Sequence, residues 1–219
     1  MFDWDGTLVD TLGALFRANR AVLGELGLAF DETLYRRHYS PDWRLMYGRL
    51  GVPIDRLEQA GERWLEVFDP EHFGEPLPGV VEALRRLERS GHRLALVTAG
   101  DRAPVTRQLE QSGLGDVLPV RVFGDDLPVY KPDPRPLRLA LAELGVADPA
   151  DATYVGDAPD DMRMARTVGV GAIGVESIIG ERDELLAAGA SAVYPSVAAW
   201  IDAYLAAPAG RQAPNRRPS

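Results

Sequence analysis

The second half of the chain alternates short apolar runs with amphipathic helical patterns, and few folds accept that rhythm. Arg93-Leu94-Ala95-Leu96-Val97, Val120-Arg121-Val122-Phe123, Thr153-Tyr154-Val155 and Gly171 to Val175 each read as a buried strand. Between them lie helical patterns that stop at glycine. One opens at Leu77-Pro78-Gly79, carries Val80, Val81, Leu84 and Leu87 on one face, and stops at Gly91. Pro104 to Ser112 stops at Gly113, Pro136 to Leu144 at Gly145, and Pro159 to Val168 at Gly169; a last helix runs from Val197 to about Leu205. Such alternation predicts an α/β protein with a doubly wound parallel sheet, covered by helices on both faces. Ligands of such sheets sit beyond the carboxyl ends of the strands, near a switch in strand order.

The stretch from 11 to 75 has another character. It shows helical patterns around Leu12–Leu26, Trp43–Leu50 and Leu57–Phe68, broken by Gly27, Pro41, Gly51-Val52-Pro53 and Asp69-Pro70, and no convincing strand. It reads as a small helical cap inserted after the first strand, with residues 1–10 and 76–207 forming the core. The segment 208–219, rich in Pro, Ala, Gly and Arg, reads as a disordered tail.

Composition removes several classes of function. With a formal net charge of −9, nonspecific binding to nucleic acid or anionic membrane is not expected. There are no cysteines, so disulfides, thiolate catalysis and cysteine zinc sites are excluded. His38, His72 and His92 show no metal-ligand spacing. No run approaches the ~20 apolar residues of a membrane span. Asp3 and Asp5 stand where a signal peptide would be basic. A cytoplasmic location is expected.

Four clusters fall directly after predicted strands. They are Asp3-Trp4-Asp5-Gly6-Thr7, Thr98-Ala99-Gly100-Asp101, Lys131-Pro132 and Gly156-Asp157-Ala158-Pro159-Asp160-Asp161. One sheet edge would then hold several carboxylates, a hydroxyl and an ammonium. Crowded carboxylates raise one another's pKa, and a hard cation such as Mg²⁺ relieves that repulsion. A carboxylate can attack phosphorus and form an aspartyl-phosphate. A second carboxylate two residues on can protonate the leaving alcohol and later take a proton from water. Gly6 permits the sharp turn after Asp5. Thr98 and nearby backbone N–H groups can hold phosphate oxygens, and Lys131 adds a point charge.

In these four clusters the chain resembles the haloacid dehalogenase superfamily, in its phosphoglycolate phosphatase-like branch with a small helical cap. Asp3-x-Asp5-Gly6-Thr7, Thr98, Lys131 before Pro132, and Gly156-Asp157-x-x-x-Asp161 match its four motifs in order over nearly the whole chain. The resemblance implies a Rossmann-like core and a Mg²⁺-dependent phosphatase acting on a small phosphorylated metabolite. It implies that Asp3 is the nucleophile and a metal ligand, and that Asp5 is the general acid/base with its carbonyl on the metal. Asp157 would be a further metal ligand, and Asp161 would act through water or by orienting Lys131. Thr98, Ala99 and Gly100 would bind phosphate. Asp160 rivals Asp161, and the spacing favours Asp161. A sugar-phosphate mutase would use the same Asp3 and Asp5. A dehalogenase fits less well, because expelling halide needs no proton donor at Asp5. A catalytically idle binding protein fits less well still, since every expected residue is present.

In the cap, His38, Tyr39, Trp43, Arg44 and Tyr47 form an aromatic and basic cluster. It either faces the catalytic edge, with Arg44 contributing to specificity, or packs between helices. Asp10 reads as a residue that caps or orients the first inserted helix. Only Met1 and Phe2 precede Asp3, whereas a mean strand has ~5–6 residues. Either the central strand is a stub, with buried backbone groups left unpaired at ~1–3 kcal/mol each, or the natural chain begins a few apolar residues earlier.

Overall fold

A computed structural model describes residues 1–68 and 74–207. The tail expected at 208–219, the break expected at Asp69-Pro70 and His72 lie outside the described residues.

The parallel sheet is present. Strands β1 (Ala95–Val97) and β2 (Val120–Val122) pair in parallel, as do β3 (Thr153–Gly156), β4 (Gly171–Val175) and β5 (Ala192–Tyr194). The N-terminal segment joins the two halves. Phe2 bridges in parallel to Leu96 on one side and Val155 on the other. Phe2 N donates to Ala95 O, Val97 N to Phe2 O, Asp3 N to Val155 O and Val155 N to Met1 O, at 2.9, 2.9, 2.9 and 3.0 Å. The stub thus pairs on both sides at residues 1–3, and the spatial order is β2, β1, N-terminal segment, β3, β4, β5. The chain reverses its direction of winding at that segment, so the switch point falls beside Asp3.

Residues alternate across the sheet as its pleat requires. Leu96 and Val155 face a core shared with α5 (Val80–Arg89), α6 (Arg102–Ser112) and α10 (Val197–Ala206). Ala95, Val97 and Tyr154 face the opposite core, with α7 (Arg135–Glu143), α8 (Pro159–Val168) and α9 (Arg182–Ala188). Helices therefore cover both faces, as the alternation predicts. The glycines expected to end α6 and α8, Gly113 and Gly169, adopt positive φ at those ends. β5 and α9 have no counterpart in the sequence reading. Each is short, at 3 and 7 residues, too short for periodicity to register.

Between Thr11 and Glu75 the structure holds α1 (Leu12–Glu25), α2 (Glu32–His38), α3 (Trp43–Arg49) and α4 (Leu57–Val67). α2 was not expected. Its seven residues are started by Asp31, whose side chain accepts from Leu34 N at 2.8 Å. These helices share their own apolar cluster, which includes Leu23, Phe30, Tyr35 and Met46 and reaches Ala158 and Ile179 on the sheet side. Asp10 does not cap α1. The N-cap is Thr11, without a side-chain cap bond, and the Asp10 N–H donates to Glu75 O at 3.0 Å. Leu77 N donates to Leu8 O at 2.9 Å, so the two crossings to the helical insertion run side by side.

Candidate active site

Three chain segments end at one place because the sheet is parallel and its switch point is central. Asp3 leaves the N-terminal segment, Thr98 leaves β1 and Asp157 leaves β3. Lys131 arrives from the loop after β2, ahead of a cis bond to Pro132.

The Lys131 ammonium lies 2.6 Å from Asp3 Oδ1 and 2.9 Å from Asp161 Oδ1. All three side chains are almost wholly buried. Burial alone would lower the lysine pKa; the charges of Asp161 and Asp3 overcome it and hold the ammonium well above its ordinary range. Asp3 is pushed up to about 7, chiefly by burial, with Lys131 opposing and Asp161 and Asp5 adding repulsion. Asp161 sits in the first turn of α8, where its Oδ2 accepts from Ala158 N at 3.1 Å. The Tyr154 hydroxyl donates to Val97 O at 2.8 Å and lies 3.3 Å from Asp161 Oδ1. Asp160, the rival position, is drawn off to Arg163 at 2.7 Å.

Asp3, Asp157 and Asp161 each present an oxygen within 4.8 Å of the others'. Asp157 is 0% exposed, and burial followed by the charges of Asp3 and Asp161 drives its carboxyl well above the usual range. Its Oδ1 accepts from Thr7 Oγ1 at 3.1 Å, while its Oδ2 is buried with no hydrogen-bond partner. Three carboxylates face one ammonium. An all-oxygen set with surplus negative charge and an orphaned buried oxygen fits a hard dication.

Asp5 stands beside this group, partly exposed. Its Oδ1 accepts from Thr11 Oγ1 at 2.6 Å, and burial raises its pKa despite that bond. Gly6 turns the chain at φ +71°, and a Cβ there would collide with Asp157 Oδ2 and Leu12. Thr98 does not cap α6, whose N-cap is Asp101. Its Oγ1 instead accepts from Gly100 N at 2.9 Å, and it folds Thr98-Ala99-Gly100 into a tight turn. A Cβ on Gly100 would lie 3.7 Å from Asp5 Oδ2, so that turn borders the first carboxylate pair.

The structure thus brings together Asp3, Asp157, Asp161 and Lys131, with Asp5 and the Thr98–Gly100 turn alongside. It does not bring Arg44 to them. Arg44 stacks on Trp43 at 4.4 Å and pairs with Glu58 at 3.0 Å on the insertion. Tyr47 is also a packing residue, donating to Asn19 Oδ1 at 3.0 Å. Tyr39 does line the cleft above Lys131. Thr7, Thr11 and Tyr154 received no role from sequence, although Thr7 stands inside the first cluster.

The haloacid dehalogenase-like hydrolase family model matches residues 1–175. This chain belongs to that family. It is 34% identical over 215 residues to a phosphoglycolate phosphatase of Rhodospirillum rubrum, covering 92% of this chain and 88% of the relative. Its fold is similar to that of a hydrolase from Pseudomonas syringae, with a TM-score of 0.78 and 26% identity over 92% of this chain and 95% of the other. It is also similar to CbbY from Rhodobacter sphaeroides in complex with phosphate, with a TM-score of 0.69 and 27% identity over 90% and 93% of the two chains.

Proposed function

We propose that this protein is a magnesium-dependent phosphatase that hydrolyses small phosphomonoesters through an aspartyl-phosphate on Asp3. The observation that carries the reading is the convergence of Asp3, Asp157 and Asp161 within 4.8 Å at the switch point, with Lys131 2.6 Å from Asp3. The similarity to a phosphoglycolate phosphatase favours phosphoglycolate-like substrates.

Asp3, the Asp5 carbonyl and Asp157 would hold the ion, with Asp161 behind them. When bound, Mg²⁺ supplies positive charge that offsets the repulsion between a carboxylate and a phosphate dianion. Lys131 holds Asp3 oriented and draws its pKa down against burial, which favours the attacking carboxylate. The Thr98–Gly100 turn positions phosphate oxygens. Asp3 attacks phosphorus, the bond from phosphorus to the leaving oxygen breaks, and Asp5 gives its proton to that oxygen. A raised pKa at Asp5 suits that duty. Water then attacks the same phosphorus and passes a proton to Asp5, and the bond to Asp3 breaks. Free phosphate and both original carboxyl groups result. Residues 11–75 act as a cap that shields the phosphoenzyme from bulk water.

The test is phosphate release from a panel of phosphorylated metabolites, with and without a chelator, for the native chain and Asp3→Asn. Release that depends on both the metal and Asp3 is expected. Turnover surviving chelation and Asp3→Asn would overturn the scheme, and an isomerised sugar phosphate in place of free phosphate would turn it into a mutase.

A further inference from the structure

The segment between β4 and α9 touches both the helical insertion and Asp157. It closes on itself as a tight loop, with Ser177 N donating to Gly180 O and Ile179 N to Ser177 Oγ, each at 3.1 Å. Where it meets the catalytic edge the loop is glycine. Gly180 is buried, and a Cβ on it would collide with Asp157 O, so the loop backbone rests directly on the peptide that carries that carboxylate.

The loop is also tied to the insertion. Arg36, on α2, donates from Nε to Ile178 O at 3.1 Å, and its guanidinium pairs with Glu181. Ile179 is 1% exposed and lies in the insertion's apolar cluster with Phe30, Tyr35 and Met46. Ala158, the residue after Asp157, lies in the same cluster. Asp157 is therefore bracketed. The insertion covers its chain neighbour and also holds the loop that stops its carbonyl. Elsewhere Ser177 and Ile178 border a hollow of about 550 Å³, shared with Gly6, Thr7 and Phe16, which leaves the loop room to shift once its ties to α2 are cut.

We infer that Arg36 and Ile179 are positioning residues for the metal centre: by pinning the loop from Ser177 to Glu181 against the insertion, they hold the Asp157 carboxylate where a magnesium ion needs it. The inference rests on the phosphatase reading and adds to it a coupling between the insertion and the ion. Magnesium demands near-ideal octahedral geometry, so a small displacement of one ligand costs affinity. Groups that orient a ligand from behind are worth about 10–100-fold in metal affinity. The effect is reciprocal, because an insertion whose seating tightens the ion is itself held down by the ion.

The test titrates magnesium into the full chain by isothermal titration calorimetry and follows amide hydrogen exchange with and without the ion. Arg36→Gln and Ile179→Ala should each weaken magnesium binding about tenfold, with kcat on p-nitrophenyl phosphate recovering at saturating magnesium. In the native protein the ion should slow exchange in α2, and in Arg36→Gln that protection should be lost. Arg63→Gln breaks ion pairs with Glu25 and Glu66 within the insertion and should leave magnesium affinity unchanged. Arg36 is partly exposed, so Arg36→Gln decides the matter where Ile179→Ala fails to fold. Native magnesium affinity in Arg36→Gln, or an equal loss in Arg63→Gln, which marks a general loosening, overturns the inference and leaves the phosphatase reading standing. A native chain that binds no magnesium overturns both.

Discussion

At the scale of single residues, the proposed acid and the proposed nucleophile differ in their surroundings rather than in their chemistry. Asp3 faces an ammonium and other carboxylates, whereas Asp5 faces a threonine hydroxyl. Asp5→Asn should therefore slow hydrolysis of alkyl phosphates by about 10²-fold or more and of p-nitrophenyl phosphate much less, because nitrophenolate departs without a proton. Comparing kcat on the two esters checks this, and equal losses would remove Asp5 from the acid role. Gly6→Ala should cost about 1–3 kcal/mol in urea unfolding and weaken magnesium binding, since the new Cβ strains the φ of +71° and displaces Asp157. Asp3 and Asp157 were readable from sequence because each directly follows an extended segment, whereas Lys131 and Asp161 were picked out by the order and spacing of the four clusters. Thr11 and Tyr154 were not, because their roles depend on which atoms the fold brings near Asp5 and Asp161.

At the scale of elements, the periodic signal located those long enough to display it. α6 and α8 end at their expected glycines, and β4 spans the expected residues. α2, α9 and β5 escaped because one or two turns, or three strand residues, complete too little of a period. The N-terminal segment is the informative case. Phe2 is 1% exposed, packs its ring 5.9 Å from Trp200, and links both halves of the sheet. Phe2→Ala should cost about 3–5 kcal/mol by chemical denaturation, more than an ordinary surface change, because it opens a cavity at the central seam. His92 lies between α5 and β1 with its ring 5.4 Å from Tyr204, and partial burial lowers its pKa below 6.5. A base depressed in the folded state gives stability that is complete above its unfolded pKa and is lost as pH falls through the folded one. His92→Gln should therefore flatten the decline in thermal stability below about pH 6.5. An unchanged slope of Tm against pH would show that other groups dominate there.

At the scale of the molecule, the catalytic edge concentrates repulsion that the fold alone does not cancel. Magnesium should raise Tm, with a gain of about 2.7 kcal/mol at a hundredfold excess over its Kd. Asp157→Asn should raise the Tm of the metal-free protein while abolishing that response, since it removes a buried charge with an unpartnered oxygen. Differential scanning calorimetry with and without the ion separates the two effects. The paired crossings at Leu8–Leu77 and Asp10–Glu75 have a consequence of another kind. A graft whose ends meet at a single stem can be swapped for one of different length without re-registering any strand. Beyond Thr11, whose hydroxyl holds Asp5, the segment between the two crossings can vary in length while the strands that carry Asp3, Thr98 and Asp157 keep their pairing.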